Sequence, residues 1–167
     1  MVTKHDAELP GEREALRHLL ATIAYRGGKV LRGAPPEFGS VSMGAGTRTA
    51  VQILAHVGDL FDWGLALAAE GKHRWSDTPG DDWATEVARF FAGLAAVEAH
   101  LASDEPLVRS ARRLTQGPFA DALTHIGQLA MLRRLAGFPV KGENYFKASI
   151  ALGRVGPDQE PPVFEFE

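Results

Sequence analysis

The sequence predicts an all-α protein built as a four-helix bundle, and three observations point that way. Apolar residues recur at helical spacing in four separate blocks. Each block has start and stop signals of its own. No stretch alternates convincingly with period two, so little or no sheet is expected. With 167 residues and 45% apolar side chains, the chain reads as one domain, 1–167, whose core spans about residues 9–156 and is large enough to exclude water.

The first block, about Pro10 to Leu31, places Leu16, Leu19, Leu20, Ile23 and Val30 on one stripe. Pro10 suits a first helical position. Gly27 and Gly28 predict a kink or weak point, since each Gly costs roughly 1 kcal/mol relative to Ala. The connection that follows, Arg32 to Arg48, is rich in Gly and Pro and exceeds the roughly 12–15 residues beyond which structureless connections are uncommon. It reads either as a surface crossover or as a lid over a site, and its length permits topologies other than simple up-down-up-down.

The second block, about Ala50 to Glu70, opens with the Thr-x-x-Gln spacing of a capping box at Thr49 and Gln52 and closes at Gly71. Ile53, His56, Leu60, Trp63 and Leu67 follow steps of three and four and so share a face. The third block, about Asp81 to Ala102, buries Trp83, Val87, Phe90, Phe91, Leu94, Val97 and Leu101 behind two acids that favour a helix N-terminus. Its aromatic arc is wide enough to suggest a homodimer. The fourth block starts at Gly117-Pro118 and ends at Gly137, with Pro139 just beyond. A short C-terminal helix around Glu143 to Leu152 is expected to pack Tyr145, Phe146 and Ile150 on the bundle, before a proline-bearing acidic finish that cannot be helical.

Composition removes several functions. Without cysteine there is no disulfide, thiolate metal site or thiol nucleophile. Eighteen Lys and Arg against 21 Asp and Glu leave a net charge of −3, which disfavours general nucleic-acid binding. No stretch approaches the ~18 uninterrupted apolar residues of a membrane span, and the polar lead-in lacks the apolar segment of a secretory signal, so a cytoplasmic location is expected.

Six histidines are present. His5, His18, His73 and His100 read as surface or boundary residues. His56 is different, because it lies within the apolar stripe of the second block, where an imidazole must find a partner. On the fourth block Asp121, His125, Gln128, Leu132 and Leu135 follow one face, which is expected to point into the bundle as the His56 stripe does, and Asp121 and His125 stand one turn apart. Two His and one carboxylate with vacant positions form a recognised constellation for divalent metals, either zinc or iron. The competing reading is an Asp–His hydrogen bond beside a satisfied core histidine. Gln128 is either a hydrogen-bond partner behind the ligands or packing at the core edge. Arg109, Arg112, Arg113, Arg133 and Arg134 either gather around an anionic ligand or form a solvated face.

These residues resemble the DinB-like family of metal-binding four-helix proteins. The carrying segments are Leu54 to Trp63 around His56, the fourth-helix run His125-Ile126-Gly127-Gln128, Arg133-Arg134, and Gly142 to Ala148. The family's fourth-helix motif has the form H-x-x-x-H-x-G-Q, and its first His is Asp121 here. The resemblance implies an up-down-down-up bundle, often dimeric, binding nickel, zinc or a similar divalent ion through His56, Asp121 and His125. Some relatives are transferases or isomerases that use a low-molecular-weight thiol, and here Gln128 and Tyr145 are the candidates for orienting a small-molecule substrate. Two classes of function therefore compete: a metal-dependent transferase, isomerase or hydrolase, and a non-catalytic binding or dimerisation module. A non-haem iron oxygenase is a third, suggested by ligand type alone.

Overall fold

A computed structural model describes residues 11–166, so the expectations for His5 and Pro10 fall outside the described residues. Five helices are numbered here in chain order: α1 (Glu12–Leu31), α2 (Ala50–Glu70), α3 (Trp83–Ala102), the single turn α4 (Ala111–Leu114) and α5 (Ala120–Leu135). Their ends follow local chemistry. Thr49 and Gln52 exchange both bonds of a capping box at the start of α2, and Asp82 caps α3 by accepting from the Thr85 backbone N–H. Gly71 ends α2 at φ +68°, a conformation that favours glycine.

The glycines of α1 are close-packing positions. The helix runs unbroken through Gly27 and Gly28, and a Cβ at Gly27 would stand 2.4 Å from Phe90 Cζ and 3.2 Å from Ile126 Cδ1. At Gly28 the nearest atom would be 3.6 Å away, an ordinary contact. Gly27→Ala is thus expected to lower the urea midpoint: overpacking costs about 1–3 kcal/mol against the roughly 1 kcal/mol Ala gains in helix propensity. Gly28→Ala is expected to be neutral or stabilising, and equal behaviour of the two variants would refute the packing argument.

The fourth block begins earlier than its Gly-Pro signal. α4 leads through a wide turn, Thr115–Phe119, in which Gly117 departs from helical geometry (φ −92°, ψ −106°). Pro118 has no N–H to continue the ladder, so the axis kinks before α5.

α2 packs against α3 and α5, and α1 packs against the same two helices. Leu20, Ile23, Phe61, Phe90, Leu94, Phe119 and Leu129 form the middle of one core. The 71–82 connection returns along α2: Thr78 bonds Asp59 and Gly80 lies against Val51. α3 therefore begins beside the start of α2. The 32–49 connection contains a short 3-10 turn, Pro36–Ser40, that inserts the fully buried Phe38 edge-on between Trp83 and Phe138. Behind it, buried Arg133 donates to the carbonyls of Val30, Arg32 and Phe138, the first two being acceptors that the end of α1 leaves open.

The expected C-terminal helix is absent. Gly142–Glu143 pairs antiparallel with Glu165–Phe166, and Tyr145–Lys147 is a three-residue 3-10 turn whose Phe146 N–H donates to the Asn144 side chain. Glu143 is held by Tyr25 and Lys29 of α1, which favours an extended strap over a helix. Phe146, expected to pack, is 97% exposed. Among the described residues no helix is long and apolar enough to cross a membrane.

Candidate metal centre

The helical phase of α5 differs from the sequence expectation, and the difference decides what the site can do. Its inner stripe is Ala122, Ile126, Leu129, Leu132 and Arg133. The face of Asp121, His125, Gln128 and Leu135 is turned to the edge of the α2–α5 seam, with Leu135 59% exposed and the Asp121 side chain 48% exposed. Arg133 belongs to the inner stripe because its guanidinium donates to the carbonyls of Val30, Arg32 and Phe138. The three candidate ligands consequently sit at the rim of the bundle and not in its centre, with Asp121 exposed and the two histidine side chains largely covered.

There they converge. Among the described residues, His56, Asp121 and His125 form one group whose ligand atoms all lie within 4.8 Å of one another. Asp121 Oδ1 is 3.5 Å from His125 Nε2, and its Oδ2 is 3.9 Å from His56 Nε2. An ion bound tetrahedrally at about 2.0–2.1 Å sets its ligands about 3.4 Å apart, so small side-chain rotations bring these atoms to metal-binding separation. The imidazole rings meet nearly at right angles, centroids 4.5 Å apart.

The chemistry of the donors fits a cation. Burial holds the His56 pKa below its ordinary value, with the charges of His125 and Arg48 adding to the effect and those of Asp121 and Asp59 opposing it. The neutral imidazole, which is the form that binds metal, is thus favoured. Gln128 Oε1 lies 2.9 Å from His125 Nδ1. With the amide oxygen facing the ring, Nδ1–H donates and Nε2 keeps its lone pair toward Asp121. Gln128 therefore acts through His125. Tyr145 belongs to a different region, packed edge-on against Tyr25 and under the Arg26 guanidinium.

Several residues that shape the site had no motif to mark them. Trp75, in the irregular 71–82 connection, stands edge-on to His56 at 5.3 Å and to Trp63 at 5.9 Å. The connection is anchored by Asp59, which is 1% exposed and accepts from the Thr78 N–H and hydroxyl at 2.9 and 2.6 Å and from Arg89 at 2.6 Å. Gly58 makes room for that arginine, because a Cβ there would lie 2.8 Å from its Cζ. The five arginines do not gather at one place. Arg109 and Arg113 line a cleft with Trp63 and His73, Arg112 pairs with Glu12, and Arg133 is buried at the end of α1. Comparison with protein-family models, curated proteins and solved structures finds no match to this chain.

Proposed function

We propose that this chain is a divalent-metal-dependent enzyme of the DinB-like type, with His56, Asp121 and His125 as the protein ligands. The observation that carries the reading is the convergence of two imidazoles and a carboxylate from α2 and α5 within 4.8 Å at the rim of the bundle. A divalent ion bound there would lower the pKa of a coordinated thiol or water, supplying a nucleophile to a protein that has no cysteine. Gln128 fixes the His125 tautomer, Trp75 covers one side of His56, and the exposed Asp121 leaves the remaining positions to substrate. The thiol co-substrate and the choice of nickel or zinc rest on the resemblance alone; of the aromatic arc behind the homodimer, Trp83 and Phe90 are buried within this chain and Phe91 is partly buried.

The up-down-down-up course belongs to the same reading. It is supported by the order of residue pairings: Arg17 with Glu98 and Gly27 with Phe90 run α1 against α3, Gly27 with Ile126 and Val30 with Arg133 run α1 along α5, Asp59 with Arg89 and Phe61 with Gly93 run α2 along α3, and His56 with His125 and Gly64 with Phe119 run α2 against α5.

Titration of zinc and nickel into parent, Asp121→Asn and Asp121→His tests the centre. Loss of the ligand charge in Asp121→Asn is expected to weaken binding by at least tenfold, the lower end of what is lost when only a supporting partner is removed. Asp121→His is expected to retain binding and shift the metal preference. Parent affinity should fall as acid protonates the imidazoles. In the alternative module, with Asp121 and His125 as a structural pair, both substitutions would change stability without metal dependence. Equally weak binding by all three proteins would sink the centre.

A further inference from the structure

Arg48 lies immediately before the Thr49 cap of α2 and is exposed. Among the described residues, no hydrogen bond or ion pair reaches its guanidinium. It borders two clefts, one on each side of the candidate metal centre. The larger, about 450 Å³, is lined by Met43, Thr47, Ile53, His125, Gln128, Met131 and Leu132 as well as Arg48. The smaller, about 280 Å³, joins Arg48 to Gln52, His56, Asp77, Thr78 and Pro79. Asp77, the acid in that smaller cleft, forms no ion pair with it.

The lining of the larger cleft asks for an anion. It holds the Arg48 guanidinium and no carboxylate, so a ligand lying there meets a positive charge that no acid of that cleft offsets, whether or not a metal is bound. The capping box already occupies the Thr49 and Gln52 backbone N–H groups, so this helix start adds neither donor to a ligand. A lone guanidinium fork matches one carboxylate, whereas a phosphate usually collects several backbone donors. The larger cleft supplies the other half of the ligand's chemistry. Met43, Ile53, Met131 and Leu132 form an apolar wall, and methionines adapt to irregular hydrocarbon shapes.

We propose that Arg48 anchors the carboxylate of an amphiphilic substrate whose hydrocarbon body lies on Met43, Ile53, Met131 and Leu132, with its reacting end toward His125. The direction of the reacting end rests on the metal reading. The anchoring does not, so the two can fail separately.

Calorimetric titration of 4-phenylbutyrate and its neutral analogue 4-phenylbutan-1-ol, into metal-free and zinc-treated protein, tests this. The metal-free parent is expected to favour the acid by about tenfold or more, the value of a charge-assisted hydrogen bond. Arg48→Met should abolish that preference while keeping alcohol affinity unchanged. Met131→Ser should weaken acid and alcohol alike. The proposal is overturned if the metal-free parent binds both equally or neither, or if Arg48→Met still prefers the acid. A protein that takes up no zinc but shows the Arg48-dependent preference would refute the metal centre and leave the anchor standing.

Discussion

Glu143→Ala is expected to cost about 3–5 kcal/mol of folding stability, the range for removing one partner of a buried ion pair. The Glu143 side chain is fully buried, accepting from the Tyr25 hydroxyl at 2.6 Å and from Lys29 Nζ at 2.7 Å. Without it, the ammonium keeps Glu165 at 2.7 Å, a partner whose side chain is 33% exposed, and the Tyr25 hydroxyl loses its acceptor. The pH dependence has a definite sign. Burial pulls the Lys29 pKa down, but hydrogen bonds and charges from Glu143 and Glu165 outweigh it and raise the pKa overall. That contribution is fully present below the unfolded lysine value of about 10.4 and is lost as pH rises through the higher folded value. Urea unfolding at neutral and alkaline pH should therefore show a large gap between parent and variant that narrows at the alkaline end. A neutral-pH difference below about 1 kcal/mol, the level of an exposed pair, would contradict the role of this cluster.

The second large effect is expected at Asp59. Burial pushes its carboxyl up, and the bonds from Thr78 and Arg89 outweigh that to hold it below the usual carboxylate range. Its stabilisation is present above about pH 3.9 and is lost as pH falls through the lower folded value. Asp59→Ala should cost about 3 kcal/mol, the low end for a broken buried pair, because Arg89 keeps Asp62 and the Ala55 carbonyl. Trp75 gives an independent readout. Its emission, taken as the difference from a Trp75→Phe control because the chain has three tryptophans, should shift further toward that of a solvated indole when the segment carrying it loses the Thr78 anchor. Unchanged emission in a destabilised variant would show that Asp59 supports the bundle without holding the segment over His56.

What could be read from the sequence was what local chemistry determines. The Thr49–Gln52 box, the acids at the start of α3 and the stop at Gly71 need only a few neighbouring residues, so they were visible before any tertiary contact was known. His56, Asp121 and His125 were also legible, because helical phase brings polar groups onto faces where they demand an explanation. Gly27 was misread as weak because its reason is the ring of Phe90, a residue on another helix. The phase of α5 was misread because nothing local reveals that three backbone carbonyls await the Arg133 guanidinium. The strap at Glu143 depends on Tyr25 and Lys29, distant in sequence, and Trp75 and Asp59 act through an irregular segment with no period to follow.

That segment has a consequence for access. Thr78 is held to Asp59 by side-chain acceptance alone, with no ladder of backbone bonds along 75–80 among the described residues. Such a piece can detach in a local opening whose free energy is smaller than that of global unfolding. The exchange rate of the Thr78 amide hydrogen then measures how often the cover over His56 lifts, while amides in the middle of α2 and α3 report the whole bundle. Entry to the centre and persistence of the fold are in this way two separate equilibria, and Asp59 contributes to both, to the first through Thr78 and to the second through Arg89.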